Sequence, residues 1–454
     1  MNNKNITADQ QFNKMVNEPV SKLITTLAIP TVISMLVTSI YNMADTFFVS
    51  QINTQASAAV GIVFPIMSII QAFGFTLGMG AGSLISIKLG QKKNDEASVI
   101  SSTAFFSALG FGGVILVLGV LFSSQFMRLV GASEAVLPYA NDYARFIFLG
   151  APFMCASFVL NNSLRSEGKS FLSMIALTSG GLINIVLDPF FIFVLKMGIS
   201  GAAVATLISQ FISFMILLSW YLRKKVICHI SINLFGKPKI LGKIIYTGVP
   251  SLARQGLASI ATILLNTMAG RYGGDSGIAA MSIVTKICMF IASIMIGIGQ
   301  GFSPVSGYNY GAKRYDRVFK AWVFMVISGF CLMSFLAGFC IIFAPQILRA
   351  FRDDDLVVQV GTVALRYQAA FIPFHPLIVG TNMLMQSTRH VKQATFLSMN
   401  RQGVFFIPAI LILPSIMGLT GVEITQFVAD FLSALAAIPF AVWLFRKLKK
   451  QENS

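Results

Sequence analysis

Long apolar runs separated by short polar breaks set the pattern of this chain. A hydrocarbon core about 30 Å thick is crossed by roughly 20 apolar residues, each rising about 1.5 Å along a helix. That ruler predicts twelve helical spans: 23–49, 57–87, 97–122, 143–164, 171–195, 200–221, 245–270, 276–300, 321–348, 364–385, 394–416 and 419–445. The runs are nearly free of charge. They show none of the alternation over about 10 residues that marks a membrane β-strand. Residues 1–21 are polar, with Lys4, Asp9, Lys14 and Glu18, and contain no apolar stretch that a cleaved leader would need, so the first run is expected to remain as a span. Residues 222–244, which include Lys237-Pro238-Lys239, are too polar to cross. The expected division is an N-terminal segment at 1–22, a first lobe at 23–221, a linker at 222–244, a second lobe at 245–445 and a tail at 446–454.

The two lobes repeat one another. A shift of 220 or 221 positions brings Pro30 onto Pro250, Gly78 onto Gly299, Gly80 onto Gly301, Pro152 onto Pro373 and Gly201 onto Gly421. Glycine and proline mark backbone geometry, so shared spacing implies shared backbone. Six spans per lobe is an even number, so both lobes enter the membrane with the same polarity. Parallel repeats of this kind are related by an axis along the membrane normal and occur in transporters, where rocking two bundles opens each side in turn. The fold class expected is therefore an all-α polytopic membrane protein of twelve helices in two pseudo-symmetric six-helix lobes.

Composition agrees. Apolar residues make up 55% and charged residues 11%, against about 25% charged in a soluble domain. The net charge of +17 invites a nucleic-acid reading until the charges are placed. With the N-terminus inside, the inner segments hold Lys88, Lys92, Lys93, Arg223, Lys224, Lys225, Lys313, Arg314, Lys447 and Lys450, among many others. The outer loops hold only Arg128, Lys196, Arg271, Arg349 and Arg352. This bias puts both termini in the cytoplasm. The surplus reports topology and a contact with the lipid bilayer, and no nucleic acid is expected. Five cysteines lack metal-ligand spacing. No Walker loop, His-Glu-x-x-His or nucleophile elbow occurs, so neither an enzyme nor a cofactor is expected.

A carboxylate at the centre of a membrane helix costs about 2.5–3.5 kcal/mol and marks function by default. Asp45, Asp188, Glu423 and Asp430 fall within spans. Asp45 comes out about 7–8 Å below the outer end of span 1, Asp188 about 10 Å below that of span 5, and Thr206 about 9 Å into span 6. Asn184 lies one turn from Asp188 on the same helix face. Four oxygen-bearing side chains thus share a layer in the outer half of the first lobe. Pro189 sharpens that layer, because it cannot donate to the carbonyl of Ile185. The second lobe does not repeat the site: Asn266 stands where Asp45 maps. It carries Arg254, Lys286 and Arg401 instead, against Glu423 and Asp430. Asp430 and Lys286 both come out near mid-membrane, so they are expected to form an ion pair within a charge network that neutralises itself. His375 reads as a satisfied core residue. Gly78-Met-Gly-Ala-Gly82 imitates a phosphate loop, yet no strand precedes it, and with Gly74 it reads as close helix packing.

Met-Ala-Asp-Thr at 43–46, Arg-Ser-Glu-Gly at 165–168, Asn-Ile-Val-Leu-Asp-Pro at 184–189 and Gly-Ala-Ala-Val-Ala-Thr at 201–206 together resemble the multidrug and toxic compound extrusion (MATE) family over essentially the whole chain. The resemblance implies twelve helices in two lobes and export of organic cations against a proton or sodium gradient. It assigns the coupling-cation site, for H+ or Na+, to Asp45, Asn184, Asp188 and Thr206, and places Tyr41 at the cavity. Asn161 also matches a family asparagine, but the span ruler puts it near the inner end of span 4. Arg254 and Lys286 stand in the spans where the NorM-like branch uses acids, so the pattern is closer to the DinF-like and MepA-like branches. The expected function is a cation-coupled exporter of small organic cations in the plasma membrane, acting as a monomer. The alternative is a flippase or exporter of a lipid-linked or other anionic metabolite, which the three embedded basic residues keep open.

Overall fold

The computed structural model describes residues 2–236 and 238–452, with side chains described from residue 8 onward; the side chains of Lys4 and Lys237 lie outside that set. Every regular element among the described residues is helical. In chain order the first half holds α1 (Asn2–Asn17), α2 (Val20–Ser50), α3 (Thr54–Gly90), α4 (Asn94–Leu121), α5 (Ser123–Leu129), α6 (Leu137–Ser166), α7 (Ser170–Pro189) and α8 (Gly198–Leu222). The second half holds α9 (Pro238–Gly311), α10 (Tyr315–Ile342), α11 (Ala344–Phe351), α12 (Asp355–Phe371), α13 (His375–Ser387), α14 (Val391–Met399), α15 (Phe406–Met417) and α16 (Leu419–Glu452).

Spans 7 and 8 are one run of 74 residues, broken at Gly274, whose φ of 60° and ψ of −155° are not helical. Only glycine adopts that region without strain. The break falls between the two predicted spans, so α9 supplies two crossings and the total among the described residues is twelve. Other spans are interrupted rather than shortened. Span 5 ends in a π-helical turn at Phe190–Val194, span 10 bends through a 3-10 turn at Ile372–Phe374, and span 11 contains a π-helical turn at Asn400–Val404. The first of these follows Pro189, whose missing N–H leaves the regular ladder without a donor.

The chain separates into two compact units, residues 1–17 with 29–248 and residues 18–28 with 249–454. The division differs from the expected one, because the opening turns of α2 belong to the second unit and those of α9 to the first. The repeated glycines account for this. A Cβ on Gly301 would lie 2.6 Å from the Cα of Ala28, and one on Gly80 would lie 2.9 Å from the N of Gly248. Gly80 and Gly301, superposed by the sequence repeat, therefore do the same job: each admits the backbone of the other half's first helix. Within the first unit, Gly74, Gly78 and Gly82 line one face of α3, where added Cβ atoms would meet Phe158, Asn162 and Ser166 of α6 at 2.6–2.8 Å. That stripe is a packing face, as its spacing predicts.

The polar N-terminal segment forms helix α1, which was not expected. It is tied down by Lys92, which pairs with Asp9 at 3.6 Å and lies over the Phe12 ring, and by burial of Met15 and Val16. The linker is shorter than expected and is strapped to its unit by side chains. Glu167 accepts from the N–H groups of Ile227 (2.8 Å) and Cys228 (2.9 Å). Ser102 receives Ser231 N–H at 3.2 Å and donates to the His229 carbonyl, and Thr103 receives Gly236 N–H at 2.8 Å.

Candidate functional site

Two adjacent glycines build the site. A Cβ on Gly180 would sit 2.9 Å from Ser213 of α8, and one on Gly181 would sit 2.8 Å from Val37 and 3.2 Å from Tyr41 of α2. Helix α7 is thereby seated between α8 and α2, and Ser213 Oγ donates to the Ala176 carbonyl at 3.0 Å. Asn184 and Asp188 lie one and two turns further along α7. Asn184 Nδ2 donates to Asp188 Oδ1 at 3.1 Å and reaches Thr206 Oγ1 on α8 at 3.5 Å. Asp188 is fully buried, and Asn184 and Thr206 are nearly so. Asp45, on α2, is half-buried and near enough to act electrostatically on Asp188. The four predicted oxygen-bearing side chains therefore share one place in the first unit.

What distinguishes this place is unused acceptor capacity. Asp45 Oδ1, Asn184 Oδ1 and Asp188 Oδ2 are each buried with no hydrogen-bond partner. Buried oxygens of this kind are rare, because an unpaired polar atom costs about 1–3 kcal/mol. A proton would satisfy a carboxylate oxygen here, and a bare monovalent cation would take several such oxygens as ligands. Two carboxylates suffice for a proton, and the neutral oxygens of Asn184 and Thr206 extend the set toward a metal cation, since hard cations take oxygen ligands. The donor set fits either.

Two more residues belong here that the depth argument missed. Tyr143, on α6, is fully buried, bonds Thr206 and feels the charge of both Asp45 and Asp188. Gln210, one turn past Thr206 on α8, bonds Tyr41. Ranking spans by their acids overlooked both. The signals available were a tyrosine at the outer end of span 4 and a glutamine four residues after Thr206. Tyr41 itself is half-buried beside Gly181 and within the field of Asp45. Asn161 is buried on α6 with its Nδ2 unpartnered.

The second unit carries a closed network instead. Arg401 Nε donates to Asp430 Oδ1 at 2.7 Å, Gln426 Nε2 donates to the same oxygen at 2.9 Å, and His375 Nε2 lies 2.9 Å from Asp430 Oδ2. Both carboxylate oxygens are engaged. The expected partner, Lys286, is not there: its side chain is exposed and forms no ion pair among the described residues. Depth placed Lys286 level with Asp430, but depth does not say which face a residue occupies. Arg401, in the π-helical turn at Asn400–Val404, faces Asp430. Glu423 is buried and Arg254 half-buried, and neither enters the network. His375, read as a satisfied core residue, has Asp430 as its partner.

Comparison with known proteins is consistent with this geometry. A family model, MatE, matches residues 30–190 and matches again at 250–412, once in each half of the repeat. The multidrug export protein MepA of Staphylococcus aureus strain N315 is 28% identical over 443 residues, spanning 96% of this chain and 97% of that protein. Its name agrees with the branch that the basic residues of spans 7 and 8 suggest. Among solved structures, the outward-facing conformation of a multidrug resistance MATE family transporter of the MOP superfamily superposes with a TM-score of 0.92 at 28% identity, covering 96% of this chain and 98% of that one. A MOP superfamily transporter from Pyrococcus furiosus, described as having a binding pocket of reverse polarity that suggests a different function, superposes at 0.91 and 27% identity over 96% and 98% of the two chains. A repeated family match over most of the chain, a twelve-crossing helical fold and an oxygen-lined site in the first unit agree: this chain belongs to the MatE family of multidrug and toxic compound extrusion transporters.

Proposed function

We propose that the chain is a secondary active antiporter that exports small organic cations in exchange for H+ or Na+ by alternating access. The observation that carries this reading is the trio of buried, unpartnered oxygens on Asp45, Asn184 and Asp188. A site that holds two carboxylates without a resident counter-charge is a site that waits for one. The name of the MepA relative supports a drug-like cargo.

In this mechanism the coupling cation enters from the outer face, where the depth of Asp45 and Asp188 places them nearest. It binds among Asp45, Asp188, Asn184 Oδ1 and Thr206, and Tyr143 holds Thr206 in place. Taking up one positive charge removes one unit of negative charge from the carboxylate pair and weakens its hold on an organic cation, which leaves outward. The carrier then returns with the coupling ion bound and releases it inside. One elementary charge crossing 100 mV is worth about 2.3 kcal/mol, nearly two decades of gradient, although a one-for-one swap of monovalent cations does not draw on that voltage. The basic bias of alternate loops supports a plasma-membrane protein with both termini inside, and a single chain holds the whole site, which supports a monomer.

Half-buried Arg254 and exposed Lys286, neither of them in an ion pair among the described residues, favour a second reading in which an anionic or lipid-linked cargo is moved, as does the pocket description of the Pyrococcus furiosus transporter. Vesicles loaded with a cationic dye separate the two. Dye should leave when a proton or a sodium gradient is imposed, and whichever gradient drives it is the coupling ion. No dye movement under either gradient would support the anionic cargo.

A further inference from the structure

We propose that the second unit binds one anionic phospholipid in a trough between α10 and α16. The trough holds about 360 Å³ and is lined by Phe319, Trp322, Ile438 and Phe445, with Arg446 and Lys449 at its rim. That volume is at the lower end of the about 300–1,000 Å³ typical of ligand clefts, enough for a headgroup and the start of its chains. The α16 contribution is one helix face: 438, 445, 446 and 449 recur at helical spacing. The aromatic floor is ordered, with Phe319 edge-on to Phe445 at 4.9 Å and Trp322 at 5.3 Å from the same ring.

Two groups here lack partners that an anionic lipid would supply. Arg446 and Lys449 are exposed and take part in no ion pair among the described residues. Asp316, one turn before Phe319, is already engaged by Arg314 at 3.7 Å and Lys320 at 4.0 Å. A neutral acyl chain alone would answer neither. A phosphate between Arg446 and Lys449 answers both, with the lipid's acyl chains over the Phe319, Trp322 and Phe445 rings. Trp322 and Trp443 stand near the start of α10 and the end of α16, where an interfacial aromatic belt is expected. The inference rests on the proposed orientation, which puts these helix ends at the anionic inner leaflet.

The test reads Trp322 directly. Trp220→Phe with Trp443→Phe leaves Trp322 as the single tryptophan among the three in the chain. The full-length protein is reconstituted in phosphatidylcholine vesicles doped with equal fractions of either brominated phosphatidylglycerol or brominated phosphatidylcholine. The brominated anionic lipid should quench Trp322 about fivefold more efficiently per mole than the neutral one. Arg446→Gln with Lys449→Gln should abolish the preference, and Arg446→Lys with Lys449→Arg should retain it. Equal quenching by the two lipids, or a preference that survives the glutamine pair, overturns the proposal. Dye export by the unaltered chain is read separately, so failure of the lipid site leaves the transport reading untouched, and the reverse.

Discussion

Asp188 and Asp430 are both buried membrane carboxylates, and their hydrogen-bond surroundings are opposite. Asp430 has both oxygens engaged by Arg401, Gln426 and His375, so it behaves as internal glue. Removing one partner of such a pair strands a charge, at a cost of about 3–5 kcal/mol. Arg401→Ala should therefore lower the unfolding temperature in detergent sharply, while Arg401→Met combined with Asp430→Leu should recover most of the loss. Asp188 keeps one oxygen free, and its substitution should cost function before stability. Glu167, in the loop after α6, adds a pH signature. Burial pushes its carboxyl above the usual value of 4.5, against the pull of Lys169 and of the Ile227 and Cys228 N–H groups. Between the unfolded and folded values the folded chain holds more protons, so this group's contribution to stability is present in acid and falls as pH rises through that window. Thermal unfolding measured as pH rises above 4.5 should show a downward slope from this carboxyl, and Glu167→Gln should flatten it.

At the level of helices, the proposed coupling site depends on how closely α7 approaches its neighbours. Gly181 leaves room for Val37 and Tyr41 of α2, and a branched side chain there must push Asp45 away from Asp188. Gly181→Val should cost about 1–3 kcal/mol through overpacking and lower dye export at equal membrane insertion. The corresponding substitution at Gly113, where an added Cβ meets nothing, should do neither. Much at this level was legible in the sequence. The twelve crossings follow from run length and hydropathy, and the Gly74, Gly78, Gly82 stripe follows from spacing that only helix packing explains. The site layer followed from counting residues from span ends, because 1.5 Å per residue is a reliable ruler in a straight helix. It failed where faces mattered. Arg401 lies in a π-helical turn at Asn400–Val404, where regular helical spacing does not give the face, and no proline there announces the turn as Pro189 does in span 5. Helix α1 was hidden for another reason: it is held by Lys92 and by burial of Met15 and Val16, all tertiary effects that a polar local sequence does not reveal.

Across the whole molecule, duplication alone predicts two lobes split at the linker, yet the opening turns of each first helix belong to the other unit. The changeover falls beside Pro30 in α2 and Pro250 in α9, where the ladder already lacks a donor. Gly80 and Gly301 permit the exchange by admitting foreign backbone. Gly301→Leu should thus destabilise the second unit through Ala28, read as earlier protease cleavage within that unit. The linker, strapped by Glu167, Ser102 and Thr103, is part of the first unit rather than a free tether, and Glu167→Ala should expose residues 225–236 to proteolysis without altering the helices.

The central claim is that Asp45 and Asp188 bind the ion whose gradient drives export. Its most direct test is gradient-driven efflux of a cationic dye from vesicles containing equal amounts of unaltered protein, Asp188→Asn, or Asp45→Asn with Asp188→Asn. The account predicts that the imposed proton or sodium gradient accelerates efflux only through the unaltered chain. Efflux that still follows the gradient in the doubly neutralised variant would contradict it.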